Sequence, residues 1–192
     1  SHDVGQSIAA VKNAQEAGFE NITLDLIYGI PGLSEAEWES HVQQAIDLGV
    51  PHISAYALTV EPRTALMHQV KQGSVEMPAD DHFVAQFRIL SRKLTEAGFD
   101  HYEISNFAQP GKRSRHNSAY WHGVPYLGIG PSAHSYQPHS RSWNIRNNAL
   151  YIRAIEAGNT GTESTEELSL NDRINEKLMT SLRLQEGIEY AT

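Results

Sequence analysis

Val4, Ile8 and Val11 recur at helical spacing behind Asp3, a residue type suited to cap a helix N-terminus, and Gly18 marks the end of that helix. From Asn21 to Ile27 the period changes to two. Ile22, Leu24 and Leu26 fall on one side and Thr23 and Asp25 on the other, which predicts a strand. Ser34 and Glu37 stand at capping-box spacing ahead of Trp38, Val42, Ala45 and Ile46, a second helix. Ile53, Ala55 and Ala57 predict the next strand. Phe83, Phe87, Leu90 and Leu94 stripe a long helix after Pro78, and Phe99 to Ile104 reads as another strand. Glu-Ala-Gly-Phe occurs twice, at Glu16–Phe19 and Glu96–Phe99, each time between a helix and a strand. Asp47-Leu48-Gly49-Val50 serves the same purpose between them. Repeated helix-Gly-strand junctions predict parallel βα units. Two or three such units do not close a barrel, so the expected class is α/β, an incomplete parallel (β/α) barrel. After Arg146, helices are expected around Asn148–Ala157 and Asn171–Leu184, joined by a polar Gly158–Glu167 link. The expected division is residues 1–145, barrel and following loop segment, and 146–192, the start of a helical C-terminal domain.

Charge changes this picture at one place. From Ile104 to Ile155 there are 52 residues without an Asp or Glu, where the chain average would give about six. The same stretch carries Lys112, Arg113, Arg115, Arg141, Arg146 and Arg153, while the whole chain has a formal net charge of −8. A local cationic segment rich in His and aromatics in an acidic chain suits an anionic, flat or phosphate-like ligand. The overall negative charge argues against nucleic acid as a partner. No apolar run reaches membrane-spanning length. With no cysteine the chain can form no disulfide and supply no thiolate to an iron–sulfur cluster, and a cytoplasmic setting is expected.

Several residues are candidates for chemistry. Asp25 is an unusual strand residue; it either faces a ligand in the barrel lumen or pairs with an internal cation. Gly29-Ile30-Pro31-Gly32 either brings backbone close to a ligand or is an ordinary turn. Gly128-x-Gly130-x-x-Ala133 does not qualify as a dinucleotide fingerprint, because Pro131 interrupts it and no amphipathic helix or distant acid follows. His116, His122, His134 and His139 crowd into a short stretch without zinc-site spacing, so imidazole–metal binding competes with plain hydrogen bonding. Tyr120, Trp121 and Tyr126 serve either packing or a ligand platform. No G-x-S-x-G elbow supports a serine triad. A metal-independent barrel enzyme with Asp25 and Glu103 as acid and base remains a third functional class.

Four segments occur in a fixed order: Asp25-Leu26-Ile27-Tyr28-Gly29-Ile30-Pro31-Gly32, Tyr102-Glu103-Ile104-Ser105-Asn106-Phe107-Ala108, His116-Asn117-x-x-Tyr120-Trp121 and Gly128-Ile129-Gly130-Pro131-Ser132-Ala133-His134-Ser135. Together they resemble the oxygen-independent coproporphyrinogen III oxidase-like family of radical S-adenosylmethionine (SAM) proteins, and the H-N-x-x-Y-W run resembles its heme chaperone branch. The resemblance implies a partial (β/α)6 barrel followed by a helical or winged-helix-like domain, with a [4Fe-4S] cluster on C-x3-C-x2-C and SAM across the strand tops. It implies that Asp25, Ile27 and Thr59 border SAM and that His116, Asn117, Tyr120 and Trp121 bind heme, with His116 a candidate iron ligand. The implied function is to bind heme and SAM and deliver heme to acceptor proteins; the alternative is oxidative decarboxylation of coproporphyrinogen III propionates. The cluster cysteines and earlier strands lie outside this sequence. It is therefore expected to be a piece of a longer protein, inactive towards SAM by itself, and prone to self-associate through its exposed sheet edge.

Overall fold

The computed structural model describes residues 3–188. Ser1 and His2, and the last four residues, lie outside the described residues. The chain divides into two compact units, one reaching to Ser114 and one starting at Arg115.

The first unit holds α1 (Val4–Glu16), β1 (Thr23–Tyr28), α2 (Glu35–Asp47), β2 (His52–Ala57), α3 (Ala65–Lys71), α4 (Asp80–Glu96), β3 (Asp100–Glu103) and β4 (Asn106–Ala108). The caps expected from the sequence form. Asp3 and Gln6 make a capping box on α1, and Ser34 and Glu37 make one on α2, each satisfying amides that a helix start leaves without partners. β1 and β2 pair in parallel, with Asp25 opposite Ser54. The third predicted strand departs from the parallel expectation. It stops at Glu103, turns at Ile104-Ser105 and returns as β4, which inserts antiparallel beside β2, so the sheet order is β1-β2-β4-β3. The reason is local. The Glu103 carboxylate accepts the Ser105 N–H at 2.8 Å and the Asn106 side-chain amide, which closes the turn without a glycine. The bulge between His101 and Glu103 belongs to the same irregularity.

One sheet face is apolar and meets the helices. Ile53, Ala55, Phe107, Trp38, Val42, Leu90 and Leu94 are buried there, with Leu24 and Leu26 packed against them. The other face bears Thr23, Asp25 and Ile27 on β1 and His52, Ser54 and Tyr56 on β2. The period-two reading of β1 therefore holds residue by residue: Leu24 and Leu26 are half-buried while Asp25 and Ile27 are exposed.

The second unit holds α5 (Arg115–Trp121), β5 (His134–Gln137), β6 (Ser140–Asn144), α6 (Asn148–Glu156), β7 (Thr162–Glu167) and α7 (Leu170–Ser181). Its three strands form an antiparallel sheet in the order β5-β6-β7. Two expectations change here. The Gly158–Glu167 link contains a strand, β7. The 145/146 boundary is crossed by the β6–β7 pairing, which runs from Ser140↔Glu167 to Asn144↔Thr162. The glycine loop before β5 leads into a strand and not a helix, in keeping with rejection of the dinucleotide reading. Its purpose is close packing: a Cβ on Gly128 would lie 2.2 Å from the His134 carbonyl oxygen. The Asn144 side-chain amide donates to the Gly128 and Gly130 carbonyls at 3.2 and 2.9 Å.

Candidate functional site

The helix α5 sets H-N-x-x-Y-W in space. At 3.6 residues per turn, His116 falls one turn before Tyr120 and Asn117 one turn before Trp121. The His116 and Tyr120 rings meet edge-on at 5.0 Å between centroids. From Tyr120 a ladder of rings continues to Tyr126 at 4.8 Å and on to Tyr136 at 5.9 Å, and an isolated bridge between Tyr126 and Tyr136 holds their backbones together. Tyr120, Trp121, Tyr126 and Tyr136 line a cleft of about 250 Å³ within the second unit, and α7 forms part of its wall. Burial pushes the Tyr126 phenol up from its ordinary pKa, so it stays a neutral hydroxyl. The cleft is below the usual size of a pocket that encloses a drug-sized molecule, roughly 300–1,000 Å³.

The cations expected to meet anionic groups differ in their engagements. Arg141 is held by Glu176 at 2.7 Å and lies 5.9 Å from the Tyr136 ring centre, so its charge is already matched. Arg113 stacks over Tyr102 in the first unit. Arg115 and Arg146 are exposed. His122 lines the cleft, whereas His134 stands beside Trp143 and His139 Nδ1 contacts Arg173 at 3.2 Å. The four histidines therefore do not converge. Among the described residues no group of three or more His, Asp or Glu side chains is placed to hold a metal ion.

The polar face of the first unit is a second, separate feature. Asp25 and Ile27 are exposed on β1, and Thr59 is exposed just beyond β2. Behind them His52 is buried between two hydroxyls, Thr23 Oγ1 at 2.7 Å from Nδ1 and Tyr102 Oη at 2.8 Å from Nε2. Burial lowers the His52 pKa, against the weaker pull of the Asp25 and Glu103 charges. Glu103, expected as a partner of Asp25 in acid–base chemistry, is instead buried and committed to the β3–β4 turn. The Gly29–Gly32 loop is clamped from α4. Fully buried Gln86 accepts the Gly29 N–H at 2.7 Å and donates to the Leu33 carbonyl at 3.0 Å.

No protein-family model matches the chain. Heme chaperone HemW of Mycobacterium tuberculosis (strain ATCC 25618 / H37Rv) is 36% identical over 190 residues, which is 99% of this chain and 49% of that protein. The radical S-adenosyl methionine domain-containing protein 1, mitochondrial, of Danio rerio is 30% identical over 198 residues, 98% of this chain and 44% of that protein. The chain is similar to HemW-like radical SAM proteins over almost its whole length. It spans about half the length of the curated relatives it matches. The solved structure of coproporphyrinogen III oxidase (HemN) from Escherichia coli, described as a radical SAM enzyme, superposes with a TM-score of 0.73 at 19% identity. It covers 96% of this chain and 45% of that one, which establishes the shared fold.

Within this HemW-like chain, the residues read from the resemblance fall into two groups that the structure places in different units. His116, Asn117, Tyr120 and Trp121 share α5, and Asp25, Ile27 and Thr59 share the polar face of the first sheet. Sequence reasoning missed Gln86, hidden in the apolar stripe of α4, and missed the face of α7 that lines the cleft. The signal for α7 was present: Arg173, Glu176, Lys177 and Thr180 have one-face helical spacing.

Proposed function

We propose that this chain is the part of a HemW-like heme chaperone that receives heme or a related porphyrin, and that α5 with its cleft is the receiving surface. One observation carries the reading: α5 turns Tyr120 and Trp121 into one aromatic cleft, with His116 against the outer edge of Tyr120. The residues fit the group. The aromatic rings offer flat apolar area to a macrocycle, and an exposed imidazole is an ordinary axial ligand to heme iron. The part-open cleft suits a carrier, because a ligand to be handed to an acceptor protein must keep one edge reachable.

In the longer protein, SAM would be met by Asp25, Ile27 and Thr59. Asp25 presents a carboxylate beside the tightly held Gly29–Gly32 loop, a shape suited to a polar ligand lying over the strand ends. A [4Fe-4S] cluster does not fit this chain's own donors, since there is no cysteine to ligate it; the thiolates would come from another part of the parent. A cytoplasmic setting agrees with the cysteine-free composition, and no helix among the described residues is long and apolar enough to cross a membrane. The coproporphyrinogen oxidase alternative draws on the shared fold with HemN, whereas the α5 cluster and the HemW relatives favour the chaperone.

The test is a heme titration of the 192-residue chain followed at the Soret band. His116→Ala combined with Trp121→Ala is expected to weaken binding about tenfold or more, the scale of losing an axial ligand contact and a stacked ring. His41→Ala, on α2 in the first unit, is expected to change nothing. Equal losses from both sets would overturn the reading.

A further inference from the structure

One face of α7 turns the cleft from an aromatic shelf into a site with a charge preference. Arg173, Glu176, Lys177 and Thr180 occupy successive turns along that face, and all four line the cleft opposite the α5 aromatics. Glu176 is the carboxylate among them, and it is spent on Arg141 at 2.7 Å. The other two charged groups are cations. Arg173 is steadied through Nη1 by His139 at 3.2 Å, while its buried Nε–H has no hydrogen-bond partner in the protein. The Trp121 indole N–H is likewise buried without an acceptor. Lys177 is exposed at the rim. Buried donors without acceptors are uncommon, and both of these belong to residues that line the cleft.

We propose that Arg173 and Lys177 form a carboxylate seat, which grips the acidic edge of a flat macrocycle whose face lies on Tyr120 and Trp121. This deepens the heme-carrier reading and rests on it: α5 supplies the platform and iron contact, α7 the orientation. A guanidinium presents paired donors to a carboxylate, and the Lys177 ammonium adds charge at the mouth. The Arg141–Glu176 pair is a reserve of positive charge held in check, so the affinity for acids is set partly by Glu176.

The experiment compares metal-free protoporphyrin IX with its dimethyl ester, which keeps the ring and removes both negative charges. The chain should bind the free diacid at least about tenfold tighter than the ester, the scale of one charge-assisted contact. Arg173→Gln with Lys177→Gln should abolish that preference and leave ester affinity alone. Glu176→Gln should do the opposite and raise affinity for the diacid, because Arg141 is released; a merely structural ion pair would give a loss or no change. Lys177→Gln alone alters an exposed side chain and reads the seat without a folding risk. Retention of the full preference in the double variant overturns the seat. Hemin binding that depends on His116 with no diacid preference leaves the carrier reading standing and the seat refuted. A diacid preference without a His116-dependent Soret shift does the reverse. Failure to bind either porphyrin refutes both.

Discussion

Gly29 shows how much a single backbone position carries. Its φ is +77°, and a Cβ there would lie 1.9 Å from the Phe83 ring. Gly29→Ala therefore combines left-handed strain with displacement of an aromatic side chain, and a loss of at least about 2 kcal/mol in chemical denaturation is expected. A neutral result would mean that the loop is free to rearrange and does not hold the strand end rigid. His52 makes a different prediction. Its folded pKa is depressed, chiefly by burial, so the unfolded chain takes up the proton first. The stability it contributes is fully present above the unfolded imidazole's pKa of about 6.5 and is lost as pH falls through that value towards the lower folded one. Thermal midpoints across that window should fall in the natural chain and fall less in His52→Gln, whose amide can still reach Thr23 and Tyr102. Parallel slopes for both would assign the pH dependence to other groups.

At the scale of elements, legibility followed the strength of local signals. α1, α2 and β1 were visible because caps and periodicity agree in each: Asp3 and Ser34 do cap, and Asp25 does lie on the face away from Leu24 and Leu26. The β3–β4 hairpin was not visible. Its Ile104-Ser105 turn lacks the Asn-Gly or Asp-Gly signal, and closure depends on a buried carboxylate, Glu103, that reads in sequence as a catalytic candidate. β7 was missed because Thr162–Glu167 has no apolar alternation; it is a polar strand at the sheet edge, supported by its partner β6. Of the candidate site, α5 was legible as a cluster because its four residues are near neighbours in sequence. The contribution of α7 was not, since it comes from about fifty residues further along and depends on tertiary placement. Trp38 joins the helical layer across such a distance too: its indole N–H donates to the Gln86 carbonyl at 2.8 Å.

For the whole molecule, the open side of β1 matters most. β1 stands at the end of its sheet, and among the described residues no strand pairs with its outer edge. Unpaired strand edges template pairing with another chain. At high concentration the chain is expected to form a dimer by light scattering, with β1 amides gaining protection from hydrogen exchange as concentration rises. A single-chain mass throughout, with exchange at β1 independent of concentration, would rule out that contact. The three tryptophans bear on how such experiments are read. Trp38 is sealed in the core of the first unit, 6.0 Å from Tyr28, while Trp121 and Trp143 are both part-exposed in the second. The protein thus carries its own optical labels, one in the first unit and two in the second. A Trp38→Phe variant would emit from the second unit alone, and a porphyrin settling beside Trp121 would drain that emission by energy transfer. The natural chain adds Trp38 as a reporter of the first unit, so comparing the two chains times arrival of cargo apart from melting of the first unit.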